Sequence, residues 1–200
     1  MKNFKRKKGF SLLEILLVLG IVAGAIILAL IIYPKITGAN NVKTEVSNAG
    51  LIKSGVQSLY ASSSNPPLNS NMNSMLIKAN LIPDNMVQGT ANIQNVWSGD
   101  VFVGTTTINS KTAFAIQYNH VPAAECIKMV TSASTGFDQI VVAAGRAGSA
   151  GSVVSGGGNV ATGISDDGST KIEANVANIT QYCNADSSSF PTALIMFKFY

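Results

Sequence analysis

The sequence predicts an α+β fold, with one long N-terminal helix packed on a mainly antiparallel sheet. The helix is expected to span a membrane in its first half and to be amphipathic in its second. Three observations carry this. An uncharged apolar run extends from Ile15 to Tyr33. Apolar residues then recur at intervals of three and four as far as Leu59. After a break rich in Ser, Asn and Pro, short runs of β-branched and aromatic residues alternate with Gly, Asn and Ser. With 200 residues, 46% of them hydrophobic and 12% charged, the chain suits one modest globular domain plus an unusually apolar segment.

The first run is long enough to cross an apolar layer of roughly 30 Å as a helix of about 20 residues. Lys2, Lys5, Arg6, Lys7 and Lys8 precede it and stay cytoplasmic by the positive-inside rule, so the residues after Tyr33 face the periplasm or the outside. These five account for the formal charge of +4: of fourteen basic residues, nine lie beyond Gly9, against ten acidic ones. The body is therefore near neutral and lacks the basic face that specific nucleic-acid binding requires.

The amphipathic half follows Val42, Val46, Ala49, Ile52 or Lys53, Val56 and Leu59. As one helix, Phe10 to Tyr60 would be about 75 Å long, more than a bilayer needs, so its second half must pack on a soluble domain. Pro34, with Gly38 shortly after, is expected to kink or locally melt this helix. Gly20, Ala23 and Gly24 offer small surfaces for close helix packing.

Ser62-Ser63-Ser64-Asn65-Pro66-Pro67 ends the helix as a loop. Met72, Met75, Leu76 and Ala79 fit a short helix with Asn69 or Ser70 as N-cap, the methionines filling core. Val101 to Val103, Ala113 to Tyr118, Ile140 to Val142 and Ala193 to Tyr200 read as strands. Pro122 to Ser132 reads as a helix carrying Cys126, with Pro122 near its first turn. The two cysteines, Cys126 and Cys183, fall in an oxidising compartment, which favours a cystine over a metal pair or a catalytic thiol.

The N-terminal segment is not an ordinary secretory signal, because no small-residue cleavage site directly follows its apolar run. Instead Gly9 and then Phe10-Ser11-Leu12-Leu13-Glu14 come before it. A carboxylate close to an apolar layer is costly unless it finds a cation or water, although a helix N-terminus at the headgroup boundary also favours an acid. The run KKGFSLLEILLVLGIVAG closely resembles the N-terminus of type IV prepilins. The resemblance implies a prepilin peptidase that cuts between Gly9 and Phe10 and methylates the new amine on Phe10. It implies that Glu14 pairs with the N-terminal amine of a neighbouring subunit during assembly. Physically, each charge then offsets the other's desolvation, and only in one register.

The resemblance extends into the body. Leu81-Ile82-Pro83-Asp84-Asn85-Met86, Asn95-Val96-Trp97-Ser98-Gly99, Phe114-Ala115-Ile116, Val121-Pro122-Ala123-Ala124-Glu125-Cys126 and Thr135-Gly136-Phe137-Asp138 look like successive landmarks of type IVb pilins. The nine-residue leader and Phe10 depart from this and are more typical of the type IVa group. The resemblance also implies the pilin fold, a bond between Cys126 and Cys183, and an exposed disulfide-bounded C-terminal region that contacts other subunits or cells.

No catalytic constellation is found. His120 is the single histidine, and it reads as a turn or surface residue. The glycines from Gly145 to Gly158 do not form a phosphate-binding motif and read as a loop. Asp166-Asp167-Gly168 reads as a solvated turn. No cofactor or metal is expected. The expected organisation is a cleaved basic leader over residues 1–9, an N-terminal helix over 10–60 with 10–33 in the membrane or filament core, and a globular head over 61–200. The expected function is a major pilin, held in the bacterial inner membrane with its head in the periplasm and then polymerised with its own copies into an extracellular filament. The expected partners are the prepilin peptidase, the inner-membrane assembly machinery, and a host or bacterial cell surface. The alternatives are a minor pilin or type II secretion pseudopilin, and a membrane-tethered binding or enzymatic domain.

Overall fold

The structure is a computed structural model, and it describes residues 11–61, 71–144, 159–165, 171–184 and 192–200. The chain forms two compact units, the first ending at Gly38 and the second running from Ala39 to Tyr200. Helix α1, Leu12–Tyr60, contributes to both. It continues as α-helix through Pro34 and Gly38, so the local melting expected there does not occur. A proline removes one donor and crowds the carbonyl one turn back, a local cost of about 3 kcal/mol that the long helix bears without interruption. Nearby, the Thr37 hydroxyl donates to the Tyr33 carbonyl at 3.0 Å.

In the second unit the buried face of α1 runs through Val42, Glu45, Ala49, Ile52 and Val56 to the half-buried Tyr60. This refines the expected stripe. Glu45 is buried in it while Val46 packs half-buried against the same core, Ile52 rather than Lys53 takes the core position, and Leu59 is 40% exposed. Tyr60 ends the stripe, with its ring 5.1 Å from that of Phe114.

That face packs on a sheet of eight antiparallel strands among the described residues: β1 Val87–Gln88, β2 Asn92–Gln94, β3 Asp100–Ile108, β4 Lys111–Pro122, β5 Gln139–Ala144, β6 Asn159–Ile164, β7 Lys171–Ile172 and β8 Thr192–Phe199. Their spatial order is β1-β2-β3-β4-β8-β5-β6-β7. The four strands expected from sequence are all present, and β3 and β4 are longer than expected. Register explains the core: Val103, Ile116, Phe197 and Ile140 stand in one cross-strand row, and Val101, Tyr118, Ile195 and Val142 in the next. Gln117 and Met196, between these rows, point to the opposite face by strand alternation. Asn109 and Ser110, with φ of 49° and 59°, make the two-residue turn between β3 and β4 that matches strand twist.

The short helix is α2, Asn73–Lys78. Met72 holds the cap position without a side-chain bond, and the Asn71 side chain accepts from the Asn73 N–H at 3.0 Å. Asn69, Ser70 and the loop from Ser62 to Pro67 lie outside the described residues. Met72 is core, but Met75 is 40% exposed and does not fill it. Helix α3, Ala123–Ala133, begins one residue after Pro122, which sits extended at the cap, beside the first turn as expected. Helix α4, Val176–Cys183, was not expected; the Asn175 side chain caps it by accepting from the N–H groups of Ala177 and Asn178.

Candidate assembly segment and the clasps of the head

In the first unit every described side chain from Ser11 to Ile36 is exposed, and the large apolar ones are 50% to 77% so. Helix α1 is long and apolar enough to cross a membrane. Glu14 is the acid of its first turn and is exposed, while its N–H donates to the Ser11 carbonyl at 3.0 Å. A carboxylate here faces the positive end of the helix dipole and is free to meet a cation. A Cβ added at Gly20 or Gly24 would meet nothing, so both places are open to another helix. Gly9 and Phe10 lie outside the described residues.

The structure brings Cys126 and Cys183 together as a disulfide, with an S–S length of 2.03 Å and Cα atoms 5.9 Å apart. Both are buried, and the bond staples the eight-residue α4 to α3. His120 is exposed with a φ of 57°, at a register shift between Tyr118 and Val121 in β4, so the turn-like reading of this residue fits an irregular point within a strand. Gly145 to Gly158 and Asp166-Asp167-Gly168 lie outside the described residues.

Polar clasps tie the second half of α1 and helix α2 to the sheet. The Glu45 Oε1 accepts from the Val96 N–H at 2.8 Å. Asn95 organises the turn that presents this N–H: its Oδ1 accepts from Trp97 and Gly99, and its Nδ2 donates to the Asn119 carbonyl at 2.7 Å. A Cβ on Gly99 would run into that carbonyl, so glycine is required there. From β4, the buried Tyr118 hydroxyl donates to the Glu45 carbonyl at 3.3 Å. Burial raises the Glu45 pKa, against the opposing pull of the Val96 N–H and the Asn48 side chain. Burial and then the nearby Glu45 push the Tyr118 phenol well above its usual range.

Further along α1, Lys53 Nζ donates to the Gly136 carbonyl and Gln57 Nε2 to the Tyr200 carbonyl. Asn73 imitates a strand, its Nδ2 donating to the Val101 carbonyl at 2.8 Å and its Oδ1 accepting from the Val103 N–H at 2.9 Å. Two of the sequence landmarks thus have physical roles: Asn95 to Gly99 receives Glu45, and Thr135 to Asp138 receives Lys53. Glu45 escaped sequence reading although it falls on the three-and-four stepping between Val42 and Ala49. A charge at a core position was the available signal.

A long helix on an antiparallel sheet, with a disulfide-stapled C-terminal region, defines the type IV pilin fold. The structure is similar to the type IVb pilin of Salmonella typhi, with a TM-score of 0.54 and 19% identity over 78% of this chain and 98% of that one. It is likewise similar to TcpA, a type IV pilin of Vibrio cholerae El Tor, with a TM-score of 0.55 and 21% identity over 80% and 99% of the two chains. The chain belongs to the family described as PilS N terminal, whose model matches residues 39–189. No curated protein matches the sequence. Family and fold are those of structural subunits of a type IV pilus, most like the type IVb pilins, rather than of enzymes.

Proposed function

We propose that this chain is the precursor of a major pilin, cut between Gly9 and Phe10 by a prepilin peptidase and methylated on Phe10. Before assembly the apolar half of α1 holds it in the inner membrane with its head in the periplasm. It then polymerises with its own copies, the apolar helices forming the filament core and Glu14 pairing with the new amine of a neighbour. The extracellular filament serves adhesion, aggregation or conjugation-type contact. The observation that carries this reading is the exposed apolar stretch of α1 from Leu12 to Ile36, with Glu14 in its first turn, on a chain of the PilS family. An exposed apolar helix of this size needs lipid or other helices around it.

The test is the intact mass of the protein in filaments sheared from producing cells. The expected species lacks Met1 to Gly9, carries one extra methyl and is two hydrogens short for the cystine. A chain that keeps its leader and never enters the sheared fraction would overturn the proposal.

A further inference from the structure

Glu45 occupies a core position of α1 and is fully buried. Its Oε1 has the Val96 N–H, but its Oε2 meets no hydrogen-bond partner, and neither does the buried Nδ2 of Asn48. Among the described residues, the titratable group facing it is the Tyr118 phenol from β4, and no cation bears on it. An ionised carboxylate would therefore sit dry with one hydrogen bond, from Val96, and the partial help of the neighbouring Asn48 side chain, a costly arrangement because burial still outweighs both. Two changes relieve it: a proton on the carboxyl, or water admitted by parting the turn from the helix.

We propose that the Glu45 carboxyl is a proton-operated clasp between α1 and the Asn95–Gly99 turn, closed when protonated and released toward water when ionised. The turn is built to move as a unit, because Asn95 holds Trp97 and Gly99 within it. The Asn95 bond to the Asn119 carbonyl keeps its far side anchored and serves as the hinge. Among the described residues, the bond that ties this turn to a side chain of α1 is that of the Val96 N–H, and it is the one that has to break. Burial shifts the carboxyl upward, so release falls above the ordinary carboxylate range. The clasp is independent of how the filament assembles.

The test uses the full chain in detergent micelles between about pH 4 and pH 8, a span in which buried carboxyls titrate. Two readouts are followed: exchange of the Val96 amide, and emission of Trp97, the single tryptophan. In the wild type, Val96 protection should fall and Trp97 emission should shift to the red in one shared titration. Glu45→Gln keeps an acceptor for Val96 and has no proton to lose, so both readouts should stay constant. A wild type that is flat across the range, or a variant that titrates like it, overturns the clasp. Should Glu45→Gln fail to fold, the infrared carbonyl band of a buried protonated carboxyl in the wild type decides: it should vanish over the same span, and its absence at every pH overturns the proposal.

Discussion

Lys53 Nζ donates to the Gly136 carbonyl at 2.7 Å while lying 5.2 Å from the centre of the Phe137 ring and 5.7 Å from that of Phe199. One side chain thus joins α1 to the segment before β5 and to β8. Lys53→Met keeps the apolar stem but loses the charged hydrogen bond and both ring contacts. Stability should fall by about 1–2 kcal/mol, measured by denaturant unfolding.

Asn73 pairs with the edge of β3 beyond the last register pair that β2 supplies, Ile93 with Val101. Asn73→Ala leaves two main-chain groups without this partner and should cost about 3 kcal/mol, with faster exchange of the Val103 amide. If that amide stays protected, the side chain is not what holds the edge.

The Cys126–Cys183 bond closes a loop with a sequence separation of 57. On the chain-entropy estimate, replacing both cysteines by Ala should lower stability by about 4 kcal/mol. The loss should be felt first in α4, as faster amide exchange from Val176 to Cys183.

Glu14→Ala should sharply reduce the amount of protein in sheared filaments while leaving the unfolding midpoint of the head unchanged. Normal filament yield would mean that Glu14 is only a favourable acid at a helix N-terminus.

The raised pKa of Glu45 has a definite sign in the stability profile. The folded chain holds this proton more tightly than the unfolded one, whose carboxyl titrates near the ordinary value of 4.5. Stability from this group is full below that value and is lost as pH rises through the folded pKa. Unfolding midpoints of the wild type and Glu45→Gln should therefore converge at low pH and separate as pH rises, with the variant the more stable.

Much of the fold was legible in the sequence because long periodic segments carry their own signal. The uncharged run from Ile15, the stripe through Val42, Ala49, Ile52 and Val56, and the strands around Val101 to Val103 and Ala113 to Tyr118 all stand where periodicity put them. The short elements were not legible. β1 and β7 have two residues each, too few to show alternation, and α4 has eight, shorter than the length at which helical periodicity separates a helix from a strand. The melting expected at Pro34 did not occur, because its local preference competes with a long helical ladder on either side.

The sequence by itself determined the apolar helix, its single early acid, and the family resemblance that pairs the cysteines, since each depends on residues close together in the chain or on a recognisable order of motifs. Tertiary structure alone decided that β8 enters between β4 and β5, that Glu45 meets Val96, and that Lys53 meets Gly136. Those partners are separated by 51 and 83 residues, and no local pattern encodes a contact at that distance. The polar groups find one another only after apolar burial has set the helix against the sheet, and burial is what makes each hydrogen bond matter.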